Sequence, residues 1–241
     1  MSEPASHARK VNKQRGRPSL TTLALLLSVA AAGCAGTREL TRIRAAEMIS
    51  DSEDFRRPVS LPLKREVDWI VRAQSEGETE AEAEARAVEK YYQVHSQMDV
   101  LRRLGLMGVR ATVRRRPETD YLTWVFDVEP LLTEKGARVA GGGGREGRGG
   151  PAVAIAAKEF IEVAGITEAG GAEARVEYRW REVPTEAGRA FVPGSPEYQA
   201  LPAPLRQTLA GRNQTKDFSQ VKRGAAVFRL YDDGWRILAA Q

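Results

Sequence analysis

The sequence has very little cysteine and histidine, because its 241 residues include one cysteine and two histidines. A single cysteine cannot form an intramolecular disulfide, and it cannot build a metal site from several thiolates. Only one histidine, His95, follows the cysteine, so a triad of serine, histidine and aspartate would have to use it. We therefore expect no metal, no cofactor and no catalytic activity.

Long apolar runs are also missing. The strongly apolar stretch 23–32 is ten residues long, whereas a membrane-spanning helix needs about 20. The formal net charge is +5, but residues 1–33 hold five lysines and arginines against one glutamate, a local +4. The remaining 208 residues carry only +1, so the charge gives little reason to expect a nucleic-acid partner.

The first 33 residues have the layout of an export signal. Basic residues 1–17 precede the apolar stretch, and small residues follow it as Ala31-Ala32-Gly33-Cys34. This tetrapeptide resembles the lipobox of bacterial lipoproteins. The resemblance implies transfer of diacylglycerol to the Cys34 thiol, cleavage between Gly33 and Cys34, and acylation of the new amino terminus. An uncleaved signal anchor is the alternative.

Two or three acyl chains would hold the protein firmly on a membrane. We accordingly expect a signal peptide over residues 1–33 and a lipidated tether over 34–37. Ala35 and Gly36 lack the aspartate that retains lipoproteins of enteric bacteria in the inner membrane. By that resemblance, the protein would face the periplasm from the outer membrane.

Residues 38–140 are expected to form a helical module. Apolar residues at helical spacing predict three helices, over about 38–49, 63–73 and 79–104. Alternating residues then predict a β-hairpin, with strands over 109–115 and 121–128. This order of elements resembles a winged-helix domain, although four alternating glutamates at the start of the third helix would repel DNA phosphates.

A glycine-rich linker over residues 141–150 is expected to separate this module from a second one over 151–241. Strands are predicted over 153–163 and 172–181, and a final hairpin over 226–231 and 235–238. Residues 184–222 are mostly irregular, with one short helix over 205–210. The predicted fold class is therefore α+β, with a winged-helix-like module followed by a mainly antiparallel β module.

The predicted strand over 172–181 alternates small or apolar residues with Glu and Arg. Its charged face would carry Arg175 and Arg179, which either contact a ligand or are simply solvated. Trp180 and Trp235 are expected either to pack in the β core or to line a groove. These four residues are the candidates for ligand contact.

Taken together, these features predict a lipid-anchored envelope protein with a non-catalytic binding or assembly role. Its expected partners are membrane lipid, through acylated Cys34, and an envelope protein or glycan. One alternative is a glycan or peptidoglycan hydrolase that uses paired carboxylates, with Asp232 and Asp233 or Glu182 and Glu186 as candidates. Another is a membrane-anchored DNA-binding regulator, because residues 15–18 resemble an AT-hook core.

Overall fold

The computed structural model describes residues 39–72, 77–115, 123–140, 150–169 and 172–240. It is a mixed structure of helices and mostly antiparallel sheets, as the α+β prediction requires. The predicted signal peptide and Cys34 lie outside the described residues. The described residues from Leu40 onward belong to one compact unit.

The elements are numbered here in chain order. The helices are α1 Arg42–Asp51, α2 Glu53–Arg56, α3 Glu80–Val94, α4 Ser96–Arg103, α5 Glu134–Arg138, α6 Glu186–Arg189, α7 Pro196–Gln199 and α8 Ala203–Gly211. The strands are β1 Val59–Pro62, β2 Glu66–Arg72, β3 Met107–Arg115, β4 Thr123–Leu132, β5 Ala152–Ala169, β6 Glu173–Pro184, β7 Val221–Tyr231 and β8 Gly234–Ala240. They form a three-stranded sheet in the order β2-β4-β3 and a five-stranded sheet in the order β1-β5-β6-β7-β8.

Helix α3 packs on the three-stranded sheet. The helix begins at a capping box, in which Thr79 and Glu82 exchange hydrogen bonds. These bonds from Thr79 hold the pKa of Glu82 below its usual value. Ala83, Ala87 and Tyr91 recur at every fourth position and are fully buried, because that spacing places them on one face of the helix.

Helix α1 packs on the five-stranded sheet. Its buried residues Ala45 and Ile49 contact a core that includes Val176 and Phe228, from the centre of the sheet. The strict alternation along β6 places every second side chain in this core and the others in solvent. The predictions for β5, β6, α8 and the final hairpin β7-β8 are confirmed, with longer strands than expected.

The predicted helix over residues 63–73 is wrong, because β2 occupies most of this range. Val67, Ile70 and Val71 have a spacing that a helix also shows, but they are β-branched and suit a strand. Hydrogen bonding to β4 adds this segment to the sheet, with Trp69 opposite Phe126. The three-helix part of the winged-helix expectation is therefore not confirmed.

The predicted third helix over residues 79–104 is interrupted. His95 has φ −106° and ψ 72°, which are not helical values, so α3 ends before it and α4 begins after it. Its imidazole Nε2 lies 2.8 Å from Glu66 Oε1, and its ring lies 4.8 Å from the ring of Tyr91. His95 thus joins β2 to the junction of the two helices, which is a structural role.

The described residues on either side of the glycine-rich segment pack together. Strand β1 pairs with β5, and Leu61 lies opposite Val153. The larger hydrophobic core combines Phe126 from β4 with Phe191 and Leu209 from beyond the segment. The stretches expected to form separate modules over 38–140 and 151–241 thus share a sheet and a core.

Candidate functional site

Two short turns with the sequence Thr-Glu-x-Gly occur at equivalent places in the structure. The first covers residues 133–136 and directly follows β4; the second covers 185–188 and directly follows β6. Each turn thus comes at the end of an antiparallel hairpin, β3-β4 or β5-β6. In each, the threonine caps a short helix, α5 or α6.

The first turn is held by three hydrogen bonds around Thr133. Its backbone N–H donates to the carbonyl oxygen of Leu106 (3.1 Å), and its hydroxyl donates to the carbonyl oxygen of Gly105 (2.6 Å). The same hydroxyl accepts a hydrogen bond from the N–H of Gly136 (3.0 Å). These bonds join the end of one strand to the start of its hairpin partner.

The second turn repeats this arrangement around Thr185. Its N–H donates to the carbonyl oxygen of Ile155 (3.0 Å), and its hydroxyl donates to that of Ala154 (2.9 Å). The N–H of Gly188 donates to the hydroxyl at 3.1 Å. The two turns therefore use the same donors and acceptors, and they form a structural repeat.

Glycine is required at the last position of both turns. A Cβ atom on Gly136 would lie 1.8 Å from the carbonyl oxygen of Leu106, and one on Gly188 would lie 1.8 Å from that of Ile155. No side chain fits between the helix and the strand at these distances. Each glycine allows the close backbone approach that the turn needs.

The two turns border one cavity of about 310 Å³. Its lining residues are mainly apolar, and they are Pro58, Leu104, Leu106, Lys135, Arg138, Val139, Ala140, Ala154, Thr185, Glu186 and Ala187. Lys135 Nζ of the first turn lies 3.6 Å from Glu186 Oε1 of the second. The cavity thus combines apolar walls with a few charged groups, as is typical of small-molecule sites.

The predicted ligand-contacting arginines lie elsewhere, on the solvent-exposed face of the five-stranded sheet. Arg175 and Arg179 alternate with buried residues of β6, and Arg179 Nη1 lies 3.1 Å from Glu162 Oε1. Together with Arg223 of β7, they line a hollow of about 530 Å³. Exposed pairs such as Arg179 with Glu162 contribute about 0.2–1 kcal/mol each.

The predicted tryptophans lie on the opposite face of this sheet. Trp180 and Trp235 are partly buried against the core under α1. The ammonium groups of Lys158 and Lys222 lie 5.5 Å and 5.0 Å from the Trp180 ring, within cation–π distance. Because the two faces of a sheet are separated by its backbone, the arginines and tryptophans do not form one site.

Three of the four carboxylates proposed for hydrolysis, Glu182, Glu186 and Asp233, lie beside a cation. Glu182 pairs with Lys222, and Glu186 with Lys135. A hydrogen bond from Arg236 lowers the pKa of Asp233, whereas a general acid needs a raised pKa. The carboxyl groups in the described structure whose pKa is displaced are all lowered; they are Glu82, Glu159, Glu197, Asp217 and Asp233. These groups give the hydrolase alternative no support.

A second mixed cleft, of about 760 Å³, lies between α3, α4 and α8. It contains Asp99, whose carboxylate accepts hydrogen bonds from Arg102 and Arg103 at 2.9 Å each. The guanidinium of Arg102 lies 4.7 Å from the ring centroid of Tyr92. Burial raises the pKa of Tyr92, so this phenol is neutral in the physiological range.

The described residues contain no group of three histidine, cysteine, aspartate or glutamate side chains placed to hold a metal ion. None of the helices in the same ranges is both long and apolar enough to cross a membrane.

Comparisons of the chain with protein-family models, with curated proteins and with solved structures find no match. The assignment of the candidate site therefore rests on the geometry of this chain alone. The predictions made from the sequence did not include this cavity. The sequence does carry a signal for it, because Thr-Glu-x-Gly occurs at both 133 and 185, each time directly after a strand.

Proposed function

We propose that the protein is a lipid-anchored component of a bacterial cell envelope with a non-catalytic binding role. The observation that carries the proposal is the sequence Ala31-Ala32-Gly33-Cys34 after a basic and then apolar leader. Acylated Cys34 is the membrane contact, and the folded unit faces the periplasm, preferentially from the outer membrane. The partner is an envelope molecule, a protein or a glycan.

The folded unit supports binding over catalysis. The cavity between the two turns has mainly apolar walls, and three of the four carboxylates named as catalytic candidates lie beside a lysine or arginine. A nucleic-acid partner is not proposed, because the first turn of α3 carries Glu80 and Glu82 without a basic residue.

The anchor is tested by the intact mass of the N-terminal peptide of membrane-extracted protein. We expect a chain that begins at Cys34 and carries the mass of two or three acyl groups. Cys34→Ser should abolish acylation and leave residues 1–33 attached, because serine has no thiol to accept the diacylglyceryl group. Ser28→Ala, in the same leader, is the matched control and should be processed normally.

A wild-type protein that keeps residues 1–33 and an unmodified Cys34 would refute the lipid anchor. In that case the leader would be a signal anchor, and protease protection in intact spheroplasts would then report the side of the membrane that holds the folded unit.

A further inference from the structure

We propose that the cavity between the two Thr-Glu-x-Gly turns binds an amphiphilic monoanion, an aliphatic chain that ends in one carboxylate. The proposal uses only residues of the folded unit and does not depend on acylation of Cys34. It assigns a ligand class to a site that is formed jointly by the two halves of the structural repeat.

The walls of the cavity select an aliphatic group. Seven of its lining residues are apolar: Pro58, Leu104, Leu106, Val139, Ala140, Ala154 and Ala187. The hydroxyl of Thr185 is already used, since it donates to the Ala154 carbonyl and accepts from the N–H of Gly188. A polar group placed against these walls would lose its hydrogen bonds to water without replacement.

The volume of the cavity sets the size of the ligand. At about 310 Å³ it is roughly twice the ~150 Å³ of an engineered cavity that binds benzene. Space for two such rings corresponds to a chain of about ten to twelve carbon atoms. Decanoate is therefore a suitable probe.

Lys135 offers the donors for an anionic head group. The other lining cation, Arg138, is paired with Glu134, and the ammonium of Lys135 lies near Glu186. The ammonium of Lys135 donates to the carbonyl oxygen of Leu104 at 3.1 Å, and its 3.6 Å separation from Glu186 exceeds a direct hydrogen bond. An ammonium group has three N–H donors, so Lys135 can also bind a carboxylate.

The proposal is tested by equilibrium dialysis of radiolabelled decanoate against the full-length protein. Ala154→Phe places a ring in the cavity, and Ala157→Phe makes the same change at an exposed position of the same strand. We expect one saturable site, at least tenfold weaker in Ala154→Phe and unchanged in Ala157→Phe.

A second pair of variants tests the charge. Lys135→Met should weaken decanoate binding about tenfold and leave binding of the neutral analogue decan-1-ol unchanged. The control is Lys64→Met, at an exposed lysine outside the cavity, which should alter the binding of neither compound. This pair decides the question if circular dichroism shows that Ala154→Phe does not fold. Absence of saturable decanoate binding, equal affinity for decanoate and decan-1-ol, or equal effects of the two lysine variants would overturn the proposal. None of these outcomes depends on the state of Cys34.

Discussion

Replacing Gly188 by alanine is expected to destabilise the fold by about 3 kcal/mol or more. The new Cβ would lie 1.8 Å from the carbonyl oxygen of Ile155 and 2.8 Å from its carbonyl carbon. Both are backbone atoms of β5, so they cannot rotate away as a side chain can. Relief of the clash requires α6 to move, which breaks the hydrogen bond from the Thr185 N–H to Ile155.

Urea unfolding followed by tryptophan fluorescence measures this effect. Gly136→Ala should cause a similar loss, because its Cβ would meet the carbonyl oxygen of Leu106 at 1.8 Å. Gly211→Ala is the matched control: it lies at the end of α8, and its Cβ would have no neighbour within 4 Å. If the three variants unfold at the same urea concentration, the close approach at the two turns is not a requirement of the fold.

Replacing Arg86 by methionine is expected to cost about 3–5 kcal/mol, because it would remove two charged hydrogen bonds to a buried carboxylate. The Arg86 Nε and Nη2 atoms donate to the two carboxylate oxygens of Glu78 at 2.7 Å and 2.8 Å. The indole N–H of Trp124 donates to the same carboxylate at 3.0 Å. The side chain of Glu78 is only 6% exposed, so water cannot replace the lost donors.

The double variant Glu78→Gln with Arg86→Met should recover much of this loss, since the buried carboxylate charge is then removed together with the cation. Arg44→Met is the control at an exposed pair, because Arg44 and Glu47 are 64% and 57% exposed. It should change the free energy of unfolding by less than about 1 kcal/mol. An equal loss in Arg44→Met and Arg86→Met would contradict the buried role of the Glu78 pair.

In the sequence, Glu78 is one of the four alternating glutamates at the start of the predicted third helix, and nothing beside it in the chain indicates a buried ion pair. Sequence distance concealed its partner Trp124, which β4 brings beside the start of α3. The capping box of Thr79 and Glu82, by contrast, lies within four consecutive residues.

Local patterns in the sequence determined much of the second half of the fold. The alternation along residues 172–181 predicted both the strand β6 and its buried face, because side chains of a strand point to opposite sides in turn. The same pattern placed Arg175 in solvent and Trp180 toward the core. The turn Asp232-Asp233-Gly234 likewise predicted the final hairpin, and Gly234 has a φ of 125° that glycine adopts readily.

Only the tertiary structure decided the identity of β2, the pairing of β1 with β5 and the position of the cavity. Residues 63–73 satisfy a helical spacing and a strand composition equally, and the hydrogen bonds to β4 resolve this ambiguity. The residues around the cavity come from segments as distant as Pro58 and Ala187. Such contacts depend on packing between distant segments, which the periodicity of a short stretch of sequence does not encode. Strands and turns, by contrast, follow from the conformational preferences of adjacent residues.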